Sequence, residues 1–594
     1  MSQARHHFEP ARIAASAGLV AAFLLLPAGP LSAANIGIVN SPHDLSFSST
    51  GPVKAAREKE VCIFCHIPHH SLDQGPLWNH ALSSATYIPY YSSTLKATVG
   101  QPTGSSKLCL SCHDGTVALG QLKSTNFTVQ LQNSVTTMPA ADNLGTDLSK
   151  SHPISFTFDA VLAAADSTLV DPASLKGPVR LDSTKQVQCT SCHDPHNDQF
   201  GSFLVVDNSN PTNLCLYCHS MVGWGTSVHA LSAKTWKGAG INPWPDSKKG
   251  SVASHSCQNC HLPHGAGSKT RLLRFAADEM NCLSCHSGTL AAKNIAADLN
   301  KVSAHPVFST TGAHDAAEDP VNPGVRHSTC ADCHDPHSSN AARGAAPLAA
   351  GSITRVKGVG VGGAVVTSVT REYELCFRCH ADSNARGPAT VSRQFPGNNT
   401  RLEFNPANAS FHPVTGPGRA AVVPSLLSPY TPGSVIYCTD CHNSDSGPRA
   451  GGSGADGPHG SMYSPLLERR MTVMDFQPES YAEYALCYKC HNRDNILSDA
   501  SFKAVNAQGA SRGHRFHIVD QQTSCATCHD SHGVATQRHL INFNTVYVRP
   551  SSTGKLEYRS FGPGSGNCTL TCHGKDHAAA SYPMLNPAAK GRRF

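Results

Sequence analysis

Twelve pairs of cysteines, each followed by a histidine, constrain this chain more than any other feature. The first is Cys62-Ile63-Phe64-Cys65-His66, and ten others share its Cys-x-x-Cys-His form. The last, from Cys568 to His573, has one extra residue between its cysteines. These motifs use all 24 cysteines of the chain: Cys62 and Cys65, Cys109 and Cys112, Cys189 and Cys192, Cys215 and Cys218, Cys257 and Cys260, Cys282 and Cys285, Cys330 and Cys333, Cys376 and Cys379, Cys438 and Cys441, Cys487 and Cys490, Cys525 and Cys528, and Cys568 and Cys572.

Cys-x-x-Cys-His is the attachment motif of c-type haem. Two thiols a short, fixed distance apart add to the two vinyl groups of one haem, and the next histidine is the proximal ligand of its iron. The alternative is zinc, because two Cys-x-x-Cys pairs provide four thiolates. Eleven exact copies with an appended histidine favour haem over zinc or disulfides. The predicted proximal ligands are His66, His113, His193, His219, His261, His286, His334, His380, His442, His491, His529 and His573.

The hydrophobic residues are not arranged as conventional cores. They make up 40% of the 594 residues, beside 48 glycines and 39 prolines. Such a loop-rich chain gains little from side-chain burial to offset its ordering entropy, whereas covalently held macrocycles supply apolar surface. We predict a mostly irregular fold with short α-helices, a few small β-hairpins and a haem-stacked core. One hairpin is predicted within 356–369, and another from segments 541–549 and 555–558.

The motifs alternate between two kinds, which divides the chain into six modules of two haems. The first motif of a module usually continues to a trailing histidine, as Cys-x-x-Cys-His-x-x-His, and the second does not. The spacing is irregular, so the modules carry variable loops and do not form a regular solenoid. The predicted modules are 35–151, 152–228, 229–304, 305–411, 412–516 and 517–594, after a signal peptide at 1–34.

Further histidines recur at fixed places in the modules and are candidate distal ligands. A lone histidine precedes each first motif, and a trailing histidine follows five of the six. In module five Asp445 stands at the trailing position, and His459 is predicted to replace it. We expect the upstream histidine to bind the first haem of its module and the trailing histidine to bind the second. The predicted distal set is His43, His69, His152, His196, His229, His264, His305, His337, His412, His459, His517 and His532.

Three of these assignments have competitors nearby. His255 and His327 each directly precede a motif and compete with His229 and His305. His514 lies three residues before His517.

The N-terminal stretch predicts export. Arg5 and Arg12 precede an apolar run over 14–26, and Ser32-Ala33-Ala34 is a small-residue cleavage site. That run is too short for a stable membrane span, and no other span is predicted in the mature chain. The net charge is +6 without a block of lysines and arginines, which argues against a nucleic-acid partner.

The paired motifs, the Cys-x-x-Cys-His-x-Pro-His form, the Leu-Cys-Leu-Ser-Cys-His-Asp-Gly-Thr-Val-Ala segment at 108–118 and the Cys-Thr-Leu-Thr-Cys-His-Gly-Lys-Asp-His ending resemble doubled-CxxCH multihaem cytochromes c of metal-reducing bacteria. The resemblance implies a multihaem cytochrome c architecture with about twelve covalently attached haems c, mostly bis-histidine and of low potential. It implies electron transport in anaerobic respiration or extracellular electron transfer. The implied location is the periplasm, the outer-membrane surface or the cell exterior.

The leading interpretation is an electron carrier and not an enzyme, because two histidines on each iron leave no open site. Its expected partners are other redox proteins, such as periplasmic or outer-membrane cytochromes, or a porin. One alternative is a multihaem reductase of a nitrogen or sulfur oxyanion with one open haem. Another is a subunit of a haem-lined filament or a porin plug.

Overall fold

The computed structural model describes residues 37–69, 71, 75–207, 212–245, 250–308, 314–322, 327–383, 389–397, 399–504, 510–562 and 565–582. The predicted signal peptide lies outside these residues. Turns and irregular segments make up most of the described chain and connect short helices and small antiparallel sheets. The prediction of a mostly irregular fold is therefore confirmed.

Eight of the fourteen described α-helices contain residues of a motif, and all fourteen are short. The two longest, α1 and α10, both end at a motif histidine. The described α-helices are α1 Gly104–His113, α2 Ala160–Ala165, α3 Cys189–Cys192, α4 Thr212–Leu216, α5 Val228–Leu231, α6 Val252–His255, α7 Met280–His286, α8 Ile295–Leu299, α9 Cys330–Cys333, α10 Glu372–His380, α11 Thr400–Glu403, α12 Ala485–Tyr488, α13 Arg493–Leu497 and α14 Cys525–Cys528.

Single helical turns of other types link these helices. Residues Phe516–Asp520 form a π-helix. The described 3₁₀ turns are Cys62–Phe64, Gln132–Ser134, Pro172–Ser174, Trp224–Thr226, Ser256–Asn259, Thr270–Leu272, Gly351–Ile353, Cys438–Asp440, Pro448–Ala450 and Arg538–Leu540.

Most strands have two residues and pair antiparallel with one partner, as β1–β2, β3–β7, β4–β5 and β6–β8. A four-stranded sheet near the C-terminus contains β9 to β12. The strands are β1 Phe156–Thr157, β2 Gln186–Val187, β3 Ser303–Ala304, β4 Gly358–Val359, β5 Val365–Val366, β6 Ser410–Phe411, β7 Gly460–Ser461, β8 Gly533–Val534, β9 Val548–Arg549, β10 Glu557–Gly562, β11 Ser565–Cys572 and β12 Lys575–Tyr582.

The two predicted hairpins have different outcomes. The one within 356–369 is confirmed, because β4 and β5 pair there. The pairing of 541–549 with 555–558 is wrong: β9 and β10 both pair with β11 and not with each other. The eight-residue β11 is long enough to bind both along one edge, while β12 occupies the other.

The described hydrophobic residues form six small clusters and not one continuous core. Several clusters pack directly against motif cysteines, for example Phe64 and Leu119 beside Cys65 and Cys112. Apolar surface is thus concentrated around the motifs, where a macrocycle would add to it. Among the described helices, none combines the length and hydropathy needed to cross a bilayer.

Candidate haem sites

Eleven of the twelve motifs overlap a helical turn. Residues three apart on such a turn lie on one face with Cβ atoms about 5–6 Å apart, so both thiols point to the same side. The twelfth differs because Cys568 and Cys572 lie in the extended strand β11. Four residues of strand span about 13 Å. The extra residue of this motif is thus accompanied by a different backbone conformation.

Eleven motif histidines each face a second histidine at nearly constant separation. An imidazole nitrogen about 2 Å from a metal puts its ring centre about 3 Å away, so two rings on opposite sides of one ion are about 6 Å apart. The observed distances between ring centres are 6.0 to 6.5 Å. The donor set and spacing therefore fit c-type haem iron with two axial histidines.

The facing histidines follow a rule that differs from the expected pairing. The upstream histidine faces the second motif of its own module, not the first: His43 and His113, His152 and His219, His229 and His286, His305 and His380, and His412 and His491. The trailing position faces the first motif of the preceding module: His66 and His196, His193 and His264, His261 and His337, His334 and His459, and His442 and His532. The expected assignment, in which the upstream histidine serves the first motif and the trailing histidine the second, does not agree with this arrangement.

Backbone contacts explain this exchange between modules. Strand β3, just before His305, pairs with β7, just after His459, and β6 and β8 align His412 and His532 in the same way. For four of the upstream histidines, Nδ1 donates to the carbonyl just before the next module's trailing position. These bonds join His43 to Pro195 at 3.2 Å, His229 to Pro336 at 2.9 Å, His305 to Pro458 at 2.6 Å and His412 to Ser531 at 2.6 Å.

The two classes of histidine pair also differ in ring orientation. Where the second motif is involved, the ring planes meet at 61 to 80°. Where the first motif is involved, the angles are 7 to 48°. The two kinds of motif that alternate along the sequence therefore differ in the angle between their facing imidazole planes.

Most motif histidines are held in one tautomer by their local loops. Where Nδ1 donates to a backbone carbonyl, Nε2 is left as the lone-pair nitrogen for a metal. The seven such carbonyl bonds measure 2.7 to 3.0 Å: His66 to Pro76, His113 to Asp142, His193 to Ser202, His261 to Arg271, His334 to Ser352, His442 to Pro465 and His529 to His539.

Burial keeps many of these imidazoles neutral, as a metal ligand must be. Desolvation is the largest cause in each case and lowers the pKa to about 4 for His219, His261, His264, His286, His442, His459 and His491. His532 is an exception. Burial is the largest single effect and lowers its pKa, but the hydrogen bond to Glu403 at 2.8 Å and the charges of Glu403 and Asp530 together raise it.

In module five, which has no trailing histidine, His459 faces the first motif of the preceding module. The ring of His459 lies 6.2 Å from that of His334. Asp445, at the sequence position of a trailing histidine, instead forms an ion pair with Lys301 at 2.7 Å. The role of His459 as a ligand stays a prediction, and its position supports it.

Two predicted distal residues do not face a motif histidine. His69 is exposed, and no described histidine ring faces it. His514 lies 6.3 Å from His529, in the position that a trailing histidine holds opposite the other first motifs. His517 instead donates Nδ1 to Gly513 at 2.9 Å and stacks near Phe502. The position of His517 upstream of the next motif favoured it as the distal ligand, although His514, three residues away, was a competing candidate.

The twelfth motif histidine is bound differently from the rest. His573 Nε2 lies 2.7 Å from a carboxylate oxygen of Asp475, and the ring packs against Phe476. The nitrogen that would face iron is therefore engaged by an acid. His517 and His577 are near enough to interact electrostatically with one another, and His517 also with His573.

The motif thiols form a line in sequence order. Between modules, hydrogen-bonded thiols join Cys109 to Cys189, Cys215 to Cys257, Cys282 to Cys330, Cys376 to Cys438 and Cys487 to Cys525. Within modules, thiols of the two motifs are electrostatic neighbours, as Cys65 and Cys112, Cys192 and Cys218, Cys260 and Cys285, Cys333 and Cys379, Cys441 and Cys490, and Cys528 and Cys572. Each of these contacts joins motifs that are adjacent in the sequence.

Comparisons with known proteins agree with this motif pattern. A family model described as "Doubled CXXCH motif" matches residues 183–222 and 250–291. A protein of Shewanella baltica named "Multiheme cytochrome MtrA" is 26% identical over 176 residues. The match covers 27% of this chain and 39% of that relative, well below two thirds of its length.

Proposed function

We propose that this multihaem c-type cytochrome with doubled CxxCH motifs carries electrons along a line of about twelve covalently bound haems c, most of which have two histidine ligands. The proposed setting is anaerobic respiration or extracellular electron transfer. Bound haems would supply iron that cycles between the ferric and ferrous states. The chain's own residues would fix the number, order and ligands of these irons.

The observation that carries this proposal is the set of eleven histidine pairs at 6.0 to 6.5 Å. Two histidines on one iron occupy both axial positions, which favours electron transfer over binding of a small molecule. The assigned ligands are the twelve motif histidines with His43, His152, His196, His229, His264, His305, His337, His412, His459, His514 and His532. His517 is the best remaining candidate for the twelfth iron.

The thiol contacts support a relay function, because they place consecutive motifs side by side. The bonds from Nδ1 to carbonyls hold each imidazole in place, which limits the rearrangement that a change of iron charge would cause. Export to the periplasm, the outer-membrane surface or the exterior is part of the proposal, based on the N-terminal sequence. So are redox-protein partners or a porin.

The proposal is tested on purified holoprotein. Intact mass and haem absorbance should give about twelve haems per chain. Electron paramagnetic resonance of the ferric protein should show low-spin signals of two types, because their anisotropy depends on the angle between the two imidazole planes. A much lower haem count, or mainly high-spin iron, would contradict an electron carrier of this kind.

A reductase with one open haem is the second candidate, and the twelfth motif favours it. There the histidine is bound to Asp475 and no described histidine ring faces it at the spacing of the other pairs. One high-spin iron that binds nitrite or sulfite, with a shift in its spectrum, would support this function. Low-spin iron at every site with no shift on adding these anions would exclude it.

A further inference from the structure

Two imidazoles and two carboxylates converge at a place that the haem ligands leave unused. His314, Glu318, His327 and Asp332 each present one donor atom, and the four donor atoms lie within 4.8 Å of one another. Their side chains are only 4 to 15% exposed. This is a small, almost buried cluster of nitrogen and oxygen donors that come from three separate parts of the sequence.

Three of the four donor distances lie close to the edges of a tetrahedral metal site, and the fourth is shorter, at the length of a hydrogen bond. With metal bonds of about 2.0–2.2 Å, neighbouring donors of a tetrahedron lie about 3.3–3.6 Å apart. His314 Nδ1 lies 2.9 Å from Asp332 Oδ1 and 3.5 Å from Glu318 Oε1. His327 Nε2 lies 3.3 Å from the same Asp332 oxygen and 3.2 Å from Glu318 Oε2. Each imidazole thus approaches both carboxylates.

The surrounding groups hold the carboxylate of Asp332 in place. Its second oxygen accepts hydrogen bonds from the backbone nitrogen of Thr329 at 2.7 Å and from the hydroxyl at 3.1 Å. Arg378 donates to Oδ1 at 3.0 Å and also pairs with Glu318. Burial alone would raise the pKa of Asp332, but the bonds from His314 and Thr329 and the charge of Arg378 lower it.

The charges leave room for a cation. The two carboxylates carry two negative charges, and Arg378, whose side chain bonds both of them, carries one positive charge, so Arg378 leaves one of these negative charges unbalanced when both imidazoles are neutral. Buried charges need compensation. Mixed imidazole and carboxylate donors suit zinc and similar first-row ions, whereas calcium and magnesium prefer oxygen alone.

We propose that His314, Glu318, His327 and Asp332 bind one divalent cation of the zinc type. Asp332 lies between the two cysteines of the seventh motif, and Arg378 lies between those of the eighth. The site therefore connects a loop to both motifs at the point where they meet. If electrons pass along the line of haems, a bound dication would favour the reduced form of the two neighbouring irons. This consequence rests on the proposed function, while cation binding does not.

Zinc content and zinc X-ray absorption of the holoprotein test the site without interference from haem iron. After incubation with zinc and dialysis, the wild type should retain about one zinc per chain, coordinated by two imidazoles and oxygen donors. The variants His314→Gln and Glu318→Gln should lose this zinc and keep their haem count, because both residues lie outside the motifs. Glu60→Gln, at an exposed carboxylate outside the cluster, is the control matched to Glu318→Gln and should retain it.

Wild-type protein with a full haem complement and no retained zinc would overturn the proposal. The negative charges of Glu318 and Asp332 would then be balanced by Arg378 and by a proton on an imidazole. Zinc retained with sulfur ligands would overturn it as well. Since the wild type alone gives these results, the test does not depend on the variants folding. Unchanged haem potentials with zinc bound would contradict only the redox consequence.

Discussion

At the scale of single residues, the position of a histidine in its module decides what it faces. His459 replaces a trailing histidine although it lies fourteen residues beyond Asp445, because the intervening loop returns it to the same place. Lys301 forms ion pairs with Asp445 at 2.7 Å and with Asp298 at 2.6 Å beside that loop. The ligand position is thus preserved by the loop and not by the local motif.

The presence of His459 where the other modules have a trailing histidine, and of Asp445 at the trailing position in the sequence, gives a direct prediction. His459→Ala should convert one low-spin haem to high spin, and the affected iron should be that of the seventh motif, which includes His334. Spin-state counting by electron paramagnetic resonance measures this change. Asp445→Ala is the control and should keep all low-spin signals, because its carboxylate contacts Lys301 and no histidine ring. As many low-spin haems in His459→Ala as in the wild type would show that this residue is not a ligand.

His69 and His514, which do not follow the pairing between modules, give a second prediction. His514→Ala should open the iron site of the eleventh motif, because its ring lies 6.3 Å from His529. His69→Ala should change no spin state, since the residue is exposed and no described histidine ring faces it. A new ligand-binding absorption band on adding cyanide reports an opened iron. Loss of a low-spin haem in His69→Ala would contradict the ligand rule for module one.

At the scale of elements, two-residue strand contacts align the histidines of neighbouring modules. Strand β8 directly follows His532 and pairs with β6, which precedes His412. Gly533 permits this close approach, since a Cβ there would lie 2.0 Å from the Glu403 carbonyl oxygen. Gly460 in β7 is equally restricted by the Asp298 carbonyl, at 1.7 Å.

Gly533→Ala should therefore disturb one contact between modules. Overpacking against rigid backbone costs about 1–3 kcal/mol, and the displaced strand would move His532 away from His442. Denaturant unfolding and spin-state counting measure both effects. Gly416→Ala is the matched control, because a Cβ there meets nothing within 4 Å. Equal stability and spin state in the two variants would mean that β8 tolerates the methyl group.

The sequence predicted the local features of the sites, but not how modules share ligands. The motif chemistry and the irregular fold depend on neighbouring residues, so they could be inferred from spacing. The facing of His66 and His196 depends on a contact across 130 residues, which no local pattern encodes. The pairing of β9 and β10 with β11 was missed for the same reason, because turn residues at 550–554 indicated only a reversal of the chain.

At the scale of the whole molecule, each module completes its neighbour. The first motifs of five modules face a histidine of the following module, and four upstream histidines donate to a carbonyl of that module. The six predicted modules are therefore sequence units whose independent folding is not expected. The hydrophobic clusters are small for the same reason, since each needs the motif beside it to complete its packing.

The linear order of thiols predicts that an interior motif cannot be bypassed. The variant Cys330→Ala with Cys333→Ala removes the seventh haem, and conductance of single molecules between electrodes should fall towards that of haem-free protein. Removing the first haem, with Cys62→Ala and Cys65→Ala, should reduce conductance far less, because it shortens the line without dividing it. Intact mass must show eleven haems in both variants, so that a failure of maturation is recognised. Because all the observed thiol contacts join sequence neighbours, equal conductance in the two variants would require a branched arrangement that contradicts this order.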